Sequence, residues 1–527
     1  MQRWAAVAGL LALAVFIPLA QPASRGDAGS VSFGRGQLNF SVSNPTSLAW
    51  GPDGRLYVAS QSTIVALTLN PATKQVLSTE TIAFNETGIL GIAFDPGALP
   101  MTLYASRQNL SASATDGFEG VVSRFTAPNW TRQDVITGLP SSAPASNHFT
   151  NGLAFNAGGQ LLIAQGSSTD AGVDTGSFWP ETPLSAAILI ADVHAPGFNG
   201  AITYNPSGSP ANDSVNQVSG TDVSVFASGT RNPYDLVVHS NGYVYATDNG
   251  APESAATSLT CSTSNNAASA SDELNRIVQG NYYGHPNRNR GRFDADECVY
   301  HPAEAGSGAG FTGPIATLPA HCSCDGLAEY TSDAFSGAMQ GDLLIAEWGL
   351  GRVRRVQLAG DGLSVTSVTT LESGFENPLD VAVGPDGTVY IAEYTGNKVS
   401  FLQPPGPDAD ADGCSDAREQ QTAPGSQATG GLRDDNYFWD FFDTPDNNNA
   451  RDRVVSVADI GRVVARFGSG GSTVIDPLSV PPAAPAYHTA FDRSPATGDP
   501  WDLGPPDGSI TIGDVGGTVV QFGHTCA

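Results

Sequence analysis

The stretch LDVAVGPDGTVYIAEYTG, residues 379–396, sets two alternating apolar runs on either side of a Pro-Asp-Gly turn. That pattern is the signature of a β-hairpin. The same phrase occurs five more times: SLAWGPDGRLYVAS (47–60), GILGIAFDPGALPMTLYAS (88–106), NGLAFNAGGQLLIAQGS (151–167), YDLVVHSNGYVYATDNG (234–250) and GLAEYTSDAFSGAMQGDLLIAEWG (326–349). Each copy couples two period-2 strands across a Gly/Asp-type turn, and the second strand ends in a small or acidic residue. Six similar antiparallel units predict a mainly β protein built as a six-bladed β-propeller with long insertions between blades. The segment VSFGRGQLNFSV (31–42) is expected to add a strand to the last blade and close the ring.

The rest of the 527-residue chain agrees with this reading. Sixty Gly and 36 Pro supply the turns, and only 14% of residues are charged, against about 25% in a typical soluble domain. The net charge of −28 argues against a nucleic-acid partner or a basic membrane surface. Lysine occurs only at Lys74 and Lys398, which leaves little scope for Schiff-base chemistry. The opening MQRWAAVAGLLALAVFIPLAQPAS combines Arg3, an apolar run from Ala5 to Ala20 and small residues after it. It reads as a secretory signal over residues 1–28, followed by a secreted or periplasmic chain with no membrane span.

Six cysteines in an exported chain suggest disulfides. Cys414 and Cys526 bracket the C-terminal region and are paired on that basis. Cys322 and Cys324 are expected to pair outwards to Cys261 and Cys298, because one intervening residue leaves little room for a direct bond. A metal site of His321, Cys322 and Cys324 is the rival reading.

Propellers bind ligands where blade loops converge on the central channel. His148, in a Gly/Asn-rich loop before a blade strand, suits a channel-facing general base. Arg231 and Asn232 stand at the same place in the next blade, where a guanidinium can hold an anion. Asp248, Asp272 and Glu273 offer oxygens to a Ca²⁺ ion or cap turns.

On NH…GLAF around His148, the Arg-Asn-Pro of 231–233, DNG…DELN…GNYYGHPN and LDVAVGPDGTVYIAE, the chain resembles the soluble pyrroloquinoline-quinone (PQQ) glucose/sorbosone dehydrogenases over residues 40–403. The resemblance implies a PQQ-dependent sugar oxidoreductase. It makes His148 the base at the sugar C1 hydroxyl and Arg231 the group that stabilises charge on the reduced cofactor, with Asn232 beside it a further catalytic candidate by position. It also implies backbone carbonyls at Gly250 and Ala251 holding Ca²⁺. The sequence departs from the family where a lysine binds the PQQ carboxylates: the stretch is IAEWGLGRV, with Gly349 near that place. Trp348 and Arg352 are the cofactor-binding candidates there. The alternatives are a non-catalytic propeller that binds carbohydrate or protein, and a metal-dependent lactonase-type hydrolase.

The proline-rich FLQPPGPDADADG separates a propeller over 29–403 from a C-terminal region over 404–527. DADADGCSDARE (408–419) has EF-hand spacing, with Asp408, Asp410, Asp412, the Cys414 carbonyl, Asp416 and Glu419 as Ca²⁺ ligands. DRVVSVADIGRVVARFG (452–468) and DGSITIGDVGGTVVQFG (507–523) resemble duplicated dockerin loop-helix units. The resemblance makes Asp452, Asp459, Asp507 and Asp514 ligands and offers a surface for a protein partner.

Overall fold

A computed structural model describes residues 31–526 apart from 32, 72, 109–118, 141–147, 170–180, 206–215, 252–270, 291–309, 407–409, 411, 423, 447–448, 450, 497 and 500. The leader, Asp408, Cys261 and Cys298 lie outside the described residues.

The six hairpins are the two inner strands of six antiparallel sheets. Blade 1 spans 45–84, blade 2 91–139, blade 3 150–228, blade 4 233–320 and blade 5 324–373. Blade 6 takes three strands from 378–403 and its fourth from Gly34–Ser41, which pairs antiparallel with Lys398–Gln403 in the register Gly34↔Gln403 and Gln37↔Ser400. The expected ring closure is therefore present, and it joins the first described strand to the last. Blade 2 gains a fifth, parallel strand at Gly200–Ala201 from the blade 3 insertion.

Hydrophobic burial explains why the second strands read as nearly continuous apolar runs. Leu56–Ser60, Leu161–Gln165, Val244–Asp248, Leu343–Glu347 and Val389–Glu393 are buried at every position. Each blade is covered on both faces by its neighbours. The propeller core is accordingly six clusters, one between each pair of adjacent blades, such as Leu162, Ala164 and Ile188 against Leu236, Val244 and Ala246 between blades 3 and 4.

A second layer of contacts, polar and steric, fixes neighbouring blades at the channel. Ser47, Asp235 and Asp380 occupy matching positions near the start of the inner strand. Asp235 Oδ2 accepts from the Leu327 N–H of blade 5 at 2.9 Å, and Asp380 Oδ2 from the Leu48 N–H of blade 1 at 2.7 Å. Blades 2, 3 and 5 carry Gly91, Gly152 and Gly326 at that position, where a Cβ would meet the next blade's inner strand within 2.3–2.5 Å.

These channel carboxyls set a pH dependence. Burial pushes Asp248, Asp325 and Asp380 up to about 7, and burial with the adjacent Asp380 holds Asp235 well above the carboxylate range. In the unfolded chain the same groups lose their protons near pH 4. Between about pH 4 and 7 the folded state keeps protons that the unfolded state has released, so stability falls as pH rises. Asp134, Glu181 and Asp386 are shifted downwards and act mainly below that window. In chelator, melting is expected several degrees higher at pH 5 than at pH 8; equal or reversed values would contradict this account.

The described α-helices all lie in the C-terminal region: α1 (Asp416–Glu419), α2 (Val457–Val464) and α3 (Ile512–Val520). The expected Cys414–Cys526 disulfide is present and closes a separation of 112 residues. For a loop near that length, chain entropy assigns about 4–5 kcal/mol to the cross-link. The Cys414→Ser/Cys526→Ser pair is expected to lose about that much stability in a calorimetric unfolding scan of the full chain.

The other pairing needs correction: Cys322 bonds to Cys324. His321 (φ 53°) and Ser323 (φ 46°) adopt left-handed backbone, which curls the chain and brings the two Cα atoms to 5.2 Å. The His321–Cys322–Cys324 metal reading falls with it, because bonded sulfurs offer no thiolate.

Candidate functional site

The residues that line the cleft at the channel mouth come from recurring places in the blades. The residue that ends each second strand is polar in several blades and holds the loop leading into the first strand. Asp248 accepts from the Arg231 N–H (2.9 Å) and the Asn232 N–H (2.7 Å), and Glu393 accepts from the Glu376 N–H (2.5 Å). The next residue then faces the cleft: Gln61, Asn249, Trp348 and Tyr394 each follow a second strand. In blade 3 that residue is Gly166, where a Cβ would lie 2.8 Å from His148 Cβ, so glycine lets the His148 loop come close.

The cleft has a volume of about 560 Å³. His148, Arg231, Asn232, Gly250 and Trp348 all line it, together with Tyr234, Asn249, Asp272, His321 and Asp325. Five of the seven residues singled out for catalysis or cofactor binding thus converge on one site. Ala251 is buried beside it. Arg352 is not among the lining residues. Its guanidinium pairs with Glu347, which also holds Arg354 at 2.8 Å, so its expected cofactor role is corrected. Both lysines are engaged elsewhere: Lys74 with Asp386, and Lys398 with Glu376 at 2.7 Å. Among the described residues that line the cleft, Arg231 is the only Lys or Arg, with Asp272 and Asp325 as carboxylates.

The arrangement fixes the tautomer of His148. Ser167 Oγ–H donates to the Thr169 carbonyl at 2.5 Å, so its lone pairs are left to accept from His148 Nδ1–H at 2.9 Å. The acceptor lone pair of the ring is then on Nε2. Burial, with Arg231 and His285 nearby, holds the imidazole well below its ordinary pKa, which keeps it neutral at physiological pH. Behind it, His285 bonds Glu181 at 2.8 Å, and Glu181 accepts from the Ser168 and Thr169 N–H groups. Asn151 Nδ2 bridges Asn232 Oδ1 (3.1 Å) and the Pro233 carbonyl (2.9 Å), joining the His148 blade to the Arg231 blade.

Of the acids considered for Ca²⁺ in this part of the chain, Asp272 lines the cleft and accepts from the Gly250 N–H at 3.0 Å. Asp248 serves the backbone, as described above, and Glu273 accepts from Asn275 at 3.1 Å.

In the C-terminal region, Asp410 accepts from the Asp412 N–H and Asp412 from the Cys414 N–H, at 3.1 and 2.6 Å. Gly413 makes the sharp turn at φ 106°. Asp416 opens α1, and Glu419 is buried at its end. Asp459 and Asp514 form capping boxes at the N-termini of α2 and α3. They also accept from the Thr444 and Arg493 N–H groups at 2.9 and 2.6 Å. Asp452 and Asp507 are exposed and accept from Val454 and Ser509. Asp443, Asp452 and Asp459 bring one oxygen each to within 4.8 Å of one another.

The six-bladed propeller thus brings a buried imidazole, a guanidinium and an indole together at one cleft. The chain belongs to the glucose/sorbosone dehydrogenase family, whose model matches residues 42–399. It is 25% identical over 298 residues to quinoprotein glucose dehydrogenase B of Acinetobacter calcoaceticus, covering 53% of this chain and 58% of that protein. The chain thus matches a little over half the length of that relative. Among solved structures it is similar to a putative oxidoreductase (glucose dehydrogenase) of Thermus thermophilus, at 21% identity, 70% and 100% coverage of the two chains and a TM-score of 0.48. It is also similar to the PQQ-bound aldose sugar dehydrogenase of Streptomyces coelicolor, at 21% identity, 71% and 99% coverage and a TM-score of 0.46.

Proposed function

We propose that the propeller oxidises a sugar, or a related alcohol or aldehyde, with a quinone cofactor and His148 as base. The observation that carries this reading is the His148–Ser167–Thr169 relay, which puts the ring's acceptor nitrogen on Nε2 in a cleft that also holds Arg231 and Trp348. A curated relative named as a quinoprotein glucose dehydrogenase supports it.

The residues present fit a planar anion next to a hard cation. Tyr234 Oη and Asn249 Oδ1 are buried at the cleft without a hydrogen-bond partner among the described residues, so both have capacity for a ligand. Burial and nearby carboxylates keep the Tyr234 phenol protonated as a donor. The Arg231 guanidinium, which also donates to the Asn249 carbonyl at 3.0 Å, supplies positive charge, and Trp348 supplies a flat apolar face. Asn249 Oδ1, the Asp272 and Asp325 carboxylates and the Gly250–Ala251 backbone are the oxygens for Ca²⁺. When bound, PQQ supplies a two-electron acceptor and Ca²⁺ a Lewis acid. His148 Nε2 takes the hydroxyl proton of the substrate, Ser167 keeps the ring oriented, and Asn232 is held in place by Asn151 and Asp248. With Arg231 as the one guanidinium among the described lining residues, cofactor affinity rests heavily on Ca²⁺. The expected result is equimolar quinone absorbance retained through gel filtration after incubation with PQQ and CaCl₂; loss of all absorbance overturns the reading.

Export by the leader and a protein partner at the C-terminal region belong to the same proposal. For the partner, α2 and α3 and the turns after them leave Val457, Phe467, Ile512 and Phe522 more than half exposed at matching places in the two copies. No helix of the described residues is long and apolar enough to cross a membrane. The 408–419 loop is read as a Ca²⁺ site, and Asp452, Asp459, Asp507 and Asp514 as ligands of the duplicated units. The lactonase-type alternative draws no support from the described residues. Their one group of three metal-ligand side chains at the channel is Asp272 with the bonded Cys322 and Cys324.

A further inference from the structure

We infer that Asp440, which lies outside the 408–419 loop, completes a Ca²⁺ site with Asp412 and Glu419 and so ties the loop to the segment that follows α1. The inference rests on the loop reading above and adds a ligand that the loop's spacing does not contain.

The backbone delivers Asp440 to the loop. Leu432 N–H donates to the Gln421 carbonyl at 2.8 Å, and Arg433 N–H to the Glu419 carbonyl at 3.1 Å, which docks the segment against the end of α1. Asp434 N–H then donates to Asp440 Oδ2 at 2.9 Å and closes a short loop. The next residue, Phe441, packs in one buried cluster with Cys414, Val455 and Cys526, so Asp440 is anchored beside the disulfide.

What this brings together is a surplus of buried negative charge. Asp412 and Asp440 are each 2% exposed and Glu419 is 1% exposed. The Asp412 and Asp440 carboxylates lie against each other, with Asp410 and Glu419 beside them. Asp412 Oδ2 and Asp440 Oδ1 are fully buried, and among the described residues neither receives a hydrogen bond from an N–H or hydroxyl donor. A carboxylate oxygen buried without a donor costs several kcal/mol unless a proton or a cation neutralises it. Arg433, Arg451 and Arg493 are the neighbouring cations, but the three nitrogens of Arg433 go to the Asp440 carbonyl (3.2 Å), the Gln427 carbonyl (3.2 Å) and His524 (3.1 Å), and Arg493 donates to the Trp439, Thr489 and Asp492 carbonyls. With Arg433 and Arg493 aimed at carbonyls, the Asp412 and Asp440 carboxylates have room for a further cation. Several converging carboxylate oxygens on a flexible loop are the donor set of Ca²⁺ rather than of the stricter octahedral Mg²⁺. An ion there would link the start of the C-terminal region to the segment packed on its final disulfide.

The test is calorimetric titration of CaCl₂ into the chelator-stripped full chain without quinone. Wild type is expected to bind. Asp440→Asn, which keeps an acceptor for the Asp434 N–H, should bind at that site at least tenfold more weakly and lose the Ca²⁺-induced rise in melting temperature. Asp434→Asn, an exposed neighbour, should match wild type. Anomalous density from wild-type crystals grown with CaCl₂ gives the same answer without relying on the variant's folding. An ion within about 2.3–2.6 Å of both Asp412 and Asp440 supports the site. An ion held without Asp440, or unchanged affinity in Asp440→Asn, overturns the role of Asp440. No binding by wild type overturns the loop reading itself.

Discussion

His148→Gln is expected to cut turnover by about 10²–10⁴-fold, the range that a positioned general base contributes, while PQQ and Ca²⁺ are retained as in wild type. The separation follows from geometry. Glutamine occupies a similar volume but offers no lone pair of comparable basicity. Arg231, Tyr234, Asn249 and Trp348 hold their places through contacts that do not involve the imidazole, such as Asp248 to the Arg231 N–H and Asn249 Nδ2 to Asp325 at 3.0 Å. The wild-type pH profile carries a further signature. The base works only when neutral, and burial beside Arg231 and His285 depresses its pKa. The acid limb of kcat/KM should therefore fall well below pH 6.5, because the imidazolium forms only there. A variant that loses cofactor and turnover together would make His148 a scaffold residue instead.

The second large effect is structural. Gly326→Ala would set a methyl carbon 2.4 Å from Asp380 Cα and 2.8 Å from the Leu379 carbonyl oxygen, both backbone atoms of blade 6. Overpacking in a core costs about 1–3 kcal/mol when side chains can move aside. Here the neighbour is backbone of blade 6, tied to blade 1 by Asp380 and Leu48, and the Gly326 strand is itself tied to blade 4 by Leu327 and Asp235, so the cost should reach about 3 kcal/mol or more. The expected outcome is a steep fall in soluble yield and melting temperature. Gly360→Ala is the control, because nothing lies within 4 Å of a Cβ there and the backbone is not left-handed. Equal stability of the two variants would show that blades 5 and 6 are not held at this contact.

Both predictions trace to features readable in the chain alone. The turn chemistry and two-residue period of the six phrases located the inner strands of every blade, and the leftover alternating segment at 31–42 supplied the closing strand. His148, Arg231 and Asn232 could be located because each precedes an inner strand, the end of the blade that faces the channel. Gln61, Asn249 and Tyr394 carry a signal of the same kind: each stands one residue past a second strand, a column that appears once the six phrases are aligned. Tyr234 and Asp325 are harder to read, because their positions within or beside inner strands hold unrelated residues in other blades.

The misreadings have local causes. Spacing argued against a Cys322–Cys324 bond, but two non-glycine residues of left-handed backbone flanking Cys322 are not visible in composition or period. Arg352 followed the cofactor stretch in sequence, yet the strand it begins turns its side chain to Glu347. Asp440 has no motif at all; it reaches Asp412 through the docking of residues 432–434 on the end of α1 and the packing of Phe441 against the Cys414–Cys526 disulfide.

Transfer of electrons from a sugar to a quinone is the activity proposed for this propeller. Dye reduction with the full chain, PQQ and CaCl₂ across a panel of aldoses and simple alcohols measures it. Steady turnover with at least one of them, dependent on PQQ, Ca²⁺ and His148, is expected. Bound quinone with no oxidation of any of these substrates would contradict it.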